Sequence, residues 1–184
     1  MKKCILLSIV SLLLFSSCSK EDTLLLGKWY FDTSACTTQN QYTDKYKNYC
    51  AEHGRDELND AFDESVHPYE YMFYGYWNFL GSGSSGSYFI RNDGTYCYIL
   101  KWYYKYMDGH VGKGTSYYGI QGDVLITGGA SDVKWNEYEI LTLDKKKLVV
   151  QERDTFYFFD DDYIKQPERI RIRTFVLNRT SKEK

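Results

Sequence analysis

Between residues 71 and 178 the chain alternates apolar and polar side chains with a period of two, in short runs broken by Gly, Asn, Asp and Ser. That pattern predicts strands at 71–80, 87–91 and 95–107, with Asn92-Asp93-Gly94 as a hairpin turn between the last two. Further strands are predicted at 115–121 and 123–127 around Gly122, at 135–143, at 147–153 continuing through Phe156-Tyr157-Phe158-Phe159, and at 169–178. Upstream, residues 24–32 read as the first strand. Residues 37–65 differ: Tyr42, Tyr46, Tyr49, Cys50 and His53 recur at helical spacing. Thr38 and Gln41 fit a capping box for that helix, Gly54 fits its end, and Asp56 fits an N-cap for a second short turn with Leu58, Ala61 and Phe62 on one face. Eight or nine strands on short turns predict an all-β, antiparallel up-and-down barrel with one helical insertion after the first strand. Closure removes the sheet edges.

Alternation also assigns faces. On the strand at 95–107, Lys101 and Lys105 are expected to point outward, leaving Tyr96, Tyr98, Leu100, Trp102, Tyr104 and Tyr106 inside. On the last strand, Arg169, Arg171 and Arg173 are expected outside, with Ile170, Ile172, Thr174 and Val176 inside. A buried tyrosine needs a partner for its hydroxyl, so an inward tyrosine row implies polar atoms or water within the barrel.

Composition narrows the class. With 43% apolar residues and 2 Pro in 184 residues, the chain is neither disordered nor collagenous, and its length suits one domain. The net charge of −2 offers no basic excess for nucleic acid.

Lys2-Lys3, the apolar run 5–15 and Leu14-Phe15-Ser16-Ser17-Cys18 resemble the lipobox signal of bacterial lipoproteins. The resemblance implies removal of residues 1–17, a covalent lipid on Cys18 and a tether at 18–23. Ser19-Lys20-Glu21-Asp22 resembles the tag that sends some such lipoproteins to the outer face of the outer membrane; the periplasmic face is the alternative. Gly27-Lys28-Trp29, with Asn92-Asp93-Gly94-Thr95-Tyr96, Tyr118-Gly119-Ile120-Gln121-Gly122-Asp123 and Tyr138-Glu139-Ile140-Leu141-Thr142-Leu143, resembles lipocalin-like domains of bacterial surface lipoproteins. This second resemblance spans residues 24–178, leaving 179–184 as a tail. It implies that Trp29 plugs the closed end of the barrel, beneath an arginine drawn from Arg169, Arg171, Arg173 or Arg179.

Catalytic motifs find little support. Gly81-Ser82-Gly83-Ser84-Ser85-Gly86 fits G-x-G-x-x-G but leads into a strand, where a dinucleotide site needs a helix. His53, His67 and His110 are far apart and lack zinc-ligand spacing, and Asp160-Asp161-Asp162 lacks the alternate-position ligands and closing Glu of an EF-hand. No catalytic residue, metal or cofactor is expected beyond the lipid on Cys18. A hydrolase would need a cleft with clustered His and carboxylates. Cys36, Cys50 and Cys97 allow at most one internal disulfide. An unbroken helix from Thr38 would hold Cys36 and Cys50 too far apart, so either the helix starts nearer Thr43 and the chain folds back, or that bridge does not exist, and three unpaired thiols are at least an equal reading.

The residues therefore suggest a membrane-tethered binding protein. Tyr96, Tyr98, Trp102 and Tyr104, with Trp135 or Tyr138, would line an interior pocket for a small amphipathic or apolar ligand. Two alternatives stand beside it: a packed barrel with no ligand, and a module gripping glycan or a partner protein through exposed aromatics such as Tyr71, Tyr74, Tyr76 and Trp77.

Overall fold

The computed structural model describes residues 20–55, 72–81, 88–131 and 134–180. It is an all-β, lipocalin-like, antiparallel up-and-down barrel of eight strands, with two extra strands and one helical insertion. In chain order the elements are α1 (Lys20–Leu25), β1 (Gly27–Phe31), β2 (Thr37–Tyr42), α2 (Asp44–Glu52), β3 (Met72–Phe79), β4 (Tyr88–Ile90) and β5 (Tyr96–Tyr106). They continue with β6 (Val111–Gln121), β7 (Val124–Gly128), β8 (Asn136–Leu143), β9 (Lys147–Phe159) and β10 (Lys165–Asn178). The ring runs β1-β3-β5-β6-β7-β8-β9-β10 and is closed by β1 on β10 through Tyr30↔Asn178 and Phe31↔Leu177.

The two extra strands are continuations of their predecessors. After a break at residues 32–36, β2 pairs with the same edge of β10 that β1 had begun, from Thr174↔Thr37 to Arg169↔Tyr42. Likewise β4 resumes on β5 at Tyr88↔Tyr98, beyond the Phe79↔Leu100 end of β3. Sequence reading places a helix over Thr37–Tyr42; the structure places a strand there. Alternation fits pairing with β10, and that ladder outweighs a lone capping box. The helix starts at Asp44 instead, where the Thr43 hydroxyl accepts the Tyr46 N–H at 3.3 Å and Asp44 favours the first turn. It ends at His53, followed by Gly54 at positive φ. The second turn expected after Asp56 lies outside the described residues, as do Tyr71, the 82–86 part of the Gly-rich loop, Cys18 and Ser19; the rest of the tag, Lys20-Glu21-Asp22, opens α1. That loop leaves β3 and enters β4, two strands.

The first strand begins at Gly27 rather than residue 24, because α1 occupies Lys20–Leu25. Trp29 is fully buried and its indole N–H donates to the Leu25 carbonyl at 2.6 Å. The Arg179 guanidinium lies 3.8 Å from the Trp29 ring centroid and donates to the carbonyls of Leu24 and Leu26. So of the four candidate arginines Arg179 is the one over Trp29. Gly27 has φ +101°, and a Cβ there would lie 2.9 Å from the Arg179 guanidinium, which explains why glycine begins this strand.

Above this floor the interior is packed by Leu25, Phe79, Leu100, Tyr118, Leu125, Leu148 and Leu177, then by Trp77, Tyr138, Val150 and Phe175. A smaller cluster of Cys97, Ile126 and Trp135, with Phe89, Tyr117 and Val124, packs against the other face of the sheet. Cys36, Cys50 and Cys97 are all unpaired thiols, and burial raises Cys97 to about 11, which keeps it protonated.

Candidate functional site: an arginine ladder inside the barrel

Alternation along β10 continues inward from Leu177 and Phe175, both in the interior core, to Arg173, Arg171 and Arg169. This corrects the expected phase. The arginines face in, while Ile170, Ile172, Thr174 and Val176 take the outer face. Glu152 and Asp154 on β9 make the reversal affordable, because they continue the inward phase of Leu148 and Val150. Arg173 contacts Glu152 at 2.5 Å and Asp154 at 2.9 Å, and Arg171 contacts Asp154 at 3.0 Å. Arg169 pairs at 2.6 Å with Glu168, the residue bulged out of register between Pro167 and Arg169.

Register builds three rows from three strands. Thr38, Arg173 and Glu152 form the innermost row; Asn40, Arg171 and Asp154 the next; Tyr42, Arg169 and Phe156 the outermost. Phe156 carries the guanidinium groups of Arg169 and Arg171 at 4.4 and 4.7 Å from its ring. α2 packs beyond the outer row, with Tyr46 stacked on Tyr42 at 5.8 Å and edge-on to Phe158 at 5.1 Å. α2 is itself tied to the β9–β10 turn by His53, which bonds the Tyr49 carbonyl at 2.8 Å and Asp161 at 3.1 Å. Those two contacts, the carbonyl first, push the His53 pKa upward.

Across the lumen, Trp102 and Tyr104 of β5 stack at 5.4 Å. Trp102 lies over Gly114 of β6, where a Cβ would come within 2.4 Å of the indole; only glycine leaves room for that ring. Tyr104 accepts the Trp77 indole N–H at 2.9 Å. Glu152, Tyr104 and Arg173 all act electrostatically on Tyr138, so the charged rows and the aromatic wall meet over that phenol. Burial, foremost, pushes the Tyr138 pKa up, and it stays a neutral hydrogen-bonding group. Burial also raises Glu152, only 7% exposed, with Asp154 adding to the rise and Arg173 opposing it.

Several polar atoms on these rows have no hydrogen-bond partner: Thr38 Oγ1, Asn40 Oδ1, Arg169 Nε and Arg173 Nε. A buried polar atom without a partner costs free energy, and these atoms are gathered on one inner wall.

Of the residues expected to line a pocket, the structure brings four together in the interior: Tyr98, Trp102, Tyr104 and Tyr138. Two it does not. Tyr96 is 57% exposed beside Tyr88, at the end of β5 where only β4 runs alongside. Trp135 sits in the outer cluster, parallel to Phe89 at 6.3 Å and beneath the Arg91 guanidinium at 4.9 Å. Trp77, grouped with possible exterior aromatics, is buried inside, while Tyr74 and Tyr76 are on the outer face with Tyr30 and Tyr103. Sequence reading missed the arginine ladder. Its signal is the hairpin register itself, which sets acids of β9 against arginines of β10 in the same phase. Among the described residues no group of three or more His, Cys, Asp or Glu is placed to hold a metal ion, and no helix is long and apolar enough to cross a membrane. No family model, curated protein or solved structure matches this chain.

Proposed function

We propose that this chain is a lipid-anchored binding protein whose barrel holds a small amphipathic molecule with an anionic head. The arginine ladder carries this reading: three inward guanidinium groups and the Thr38 hydroxyl supply donors for a carboxylate, sulfonate or phosphate, and the Asn40 Oδ1 beside them can accept from a hydroxyl or amide elsewhere on the ligand. Trp102, Tyr104 and Tyr98 supply flat apolar area for the rest of the ligand. The Trp29–Arg179 floor supports membership of the lipocalin-like group suggested by Gly27-Lys28-Trp29. The lipobox and its tag support anchoring through Cys18 on the outer membrane, facing the exterior.

The test uses 1-anilinonaphthalene-8-sulfonate, an aromatic anion, against uncharged N-phenyl-1-naphthylamine. The wild-type chain binds the sulfonate more tightly, and Arg173→Met/Glu152→Gln, which removes both charges of one pair so that neither is stranded, weakens it roughly tenfold. Equal affinity for the two probes, or no loss in the double variant, overturns the ladder as an anion site. Anchoring is checked separately: Cys18→Ala is expected to abolish incorporation of labelled fatty acid, and persistent label overturns it.

A further inference from the structure

Strands β1, β3, β5 and β6 contain Lys28, Lys101, Lys105 and Lys113 and no Asp or Glu, in a chain whose net charge is −2. All four lysines are exposed. Register places them on the outer face with the exterior tyrosines. One row is Lys28, Asn78, Lys101, Thr115; the next is Tyr30, Tyr76, Tyr103, Lys113; the third holds Tyr74, Lys105 and Val111. Neighbouring strands lie about 4.8 Å apart, so lysines two strands apart sit roughly 10 Å from each other.

The tyrosines form one half-buried platform. Tyr76 and Tyr103 stack at 5.5 Å with 14° between their planes. Tyr30 and Tyr74 meet them and each other at ring separations of 5.8 to 6.3 Å. The Lys28 ammonium sits 4.8 Å from the Tyr76 ring centroid, so charge and aromatic surface are one unit.

From this pairing we infer that the outer face of β1, β3, β5 and β6 docks an acidic polysaccharide. Charge complementarity selects a polyanion, since no carboxylate on these strands opposes it. The platform selects sugar over bilayer. It is built from phenols, Asn78 and Thr115, which meet a pyranose with both ring faces and hydroxyls; Val111 is the lone aliphatic side chain of these three rows, and Ile99, one row further on, is half-buried, too little for insertion among acyl chains. This surface is independent of the barrel interior.

The full chain, purified in detergent, is run in native gels containing sodium alginate, a uronate polymer, or pullulan, a neutral one. Alginate is expected to retard it in a salt-sensitive manner, and pullulan is not. Lys28→Glu/Lys101→Glu/Lys113→Glu, at exposed positions that leave the core untouched, abolishes the retardation. Tyr76→Thr/Tyr103→Thr, with every lysine intact, weakens it at least about fivefold while the β-type circular dichroism spectrum is kept. Neither variant changes the sulfonate affinity of the interior, so failure here is separable from failure there. Three results overturn the inference: no retardation in alginate, retardation unchanged by the tyrosine substitutions, or a lysine-dependent preference for phosphatidylglycerol over phosphatidylcholine vesicles without alginate binding, which assigns the face to a bilayer.

Discussion

At the scale of single residues, the Glu152–Arg173 ion pair is where the charged rows meet the aromatic wall at Tyr138. Glu152 faces Arg173 at 2.5 Å, with Asp154, Arg171 and Tyr138 as its other charged or titratable neighbours. Desolvation raises its pKa from the ordinary value of 4.5, which disfavours the carboxylate in the folded chain. The sign follows: the native state binds this proton more tightly than the unfolded one, so the associated stability is present at acid pH and lost as pH rises through the raised pKa. Protonation also loosens the hold of Glu152 on Arg173, freeing that guanidinium for an anion. Affinity for the sulfonate probe is therefore expected to rise roughly three- to tenfold from pH 7.5 to 5, read by fluorescence titration. Glu152→Gln should hold the acid-limb affinity across the range. A pH-independent wild type would show that Glu152 does not compete with the ligand.

At the scale of elements, what was legible follows from which physics is local. Turn residues and period-two runs suffice to find β3 to β10, with Asn92-Asp93-Gly94 and Asp144-Lys145-Lys146 marking two of the reversals. But β6 begins at Val111 and β10 at Lys165, before the 115 and 169 read from the sequence, because pairing with β5 and β9 extends them. On β5 the phase was readable, since exposed Lys101 is in register with Asn78 and Thr115 and exposed Lys105 with Tyr74 and Val111, and no inward-facing row is built at those positions. On β10 it was not. Arginine reads as a solvent residue until the partner strand is known, and only the register with β9 sets Glu152 and Asp154 beside Arg173 and Arg171. The broken first strand hid for a similar reason. Thr37–Tyr42 has no strong helical or strand preference of its own, and pairing with β10 decides it. Tyr96 and Trp135 were misplaced because alternation gives a face but not the point where the barrel wall stops or folds over itself.

At the scale of the whole molecule, closure of the barrel rests on one end. Arg179 joins the last strand to α1 and β1: its guanidinium covers the Trp29 ring and satisfies the Leu24 and Leu26 carbonyls, while Trp29 satisfies Leu25. Those carbonyls are at the C-terminal end of α1, where a cation is favoured and orphan acceptors need partners. β1 touches β10 directly through only two register pairs, so this cluster adds to a short seam. Arg179→Met removes the charge-assisted bonds and leaves two carbonyls unpartnered, costing about 1–3 kcal/mol. For a domain of this size that corresponds to a fall in Tm of roughly 3–10 °C, measured by thermal circular dichroism. Arg179→Lys should not restore it, because an ammonium cannot lie flat on the indole and reach both carbonyls at once. Gly27→Ala should fall in the same range, since its Cβ meets the guanidinium on a backbone already at positive φ. The two losses should not add, because each substitution removes the same contact. Additive losses, or an Arg179→Met chain melting within about 1 °C of wild type, would show that the seam is held by backbone pairing alone and that the arginine over Trp29 is incidental to closure.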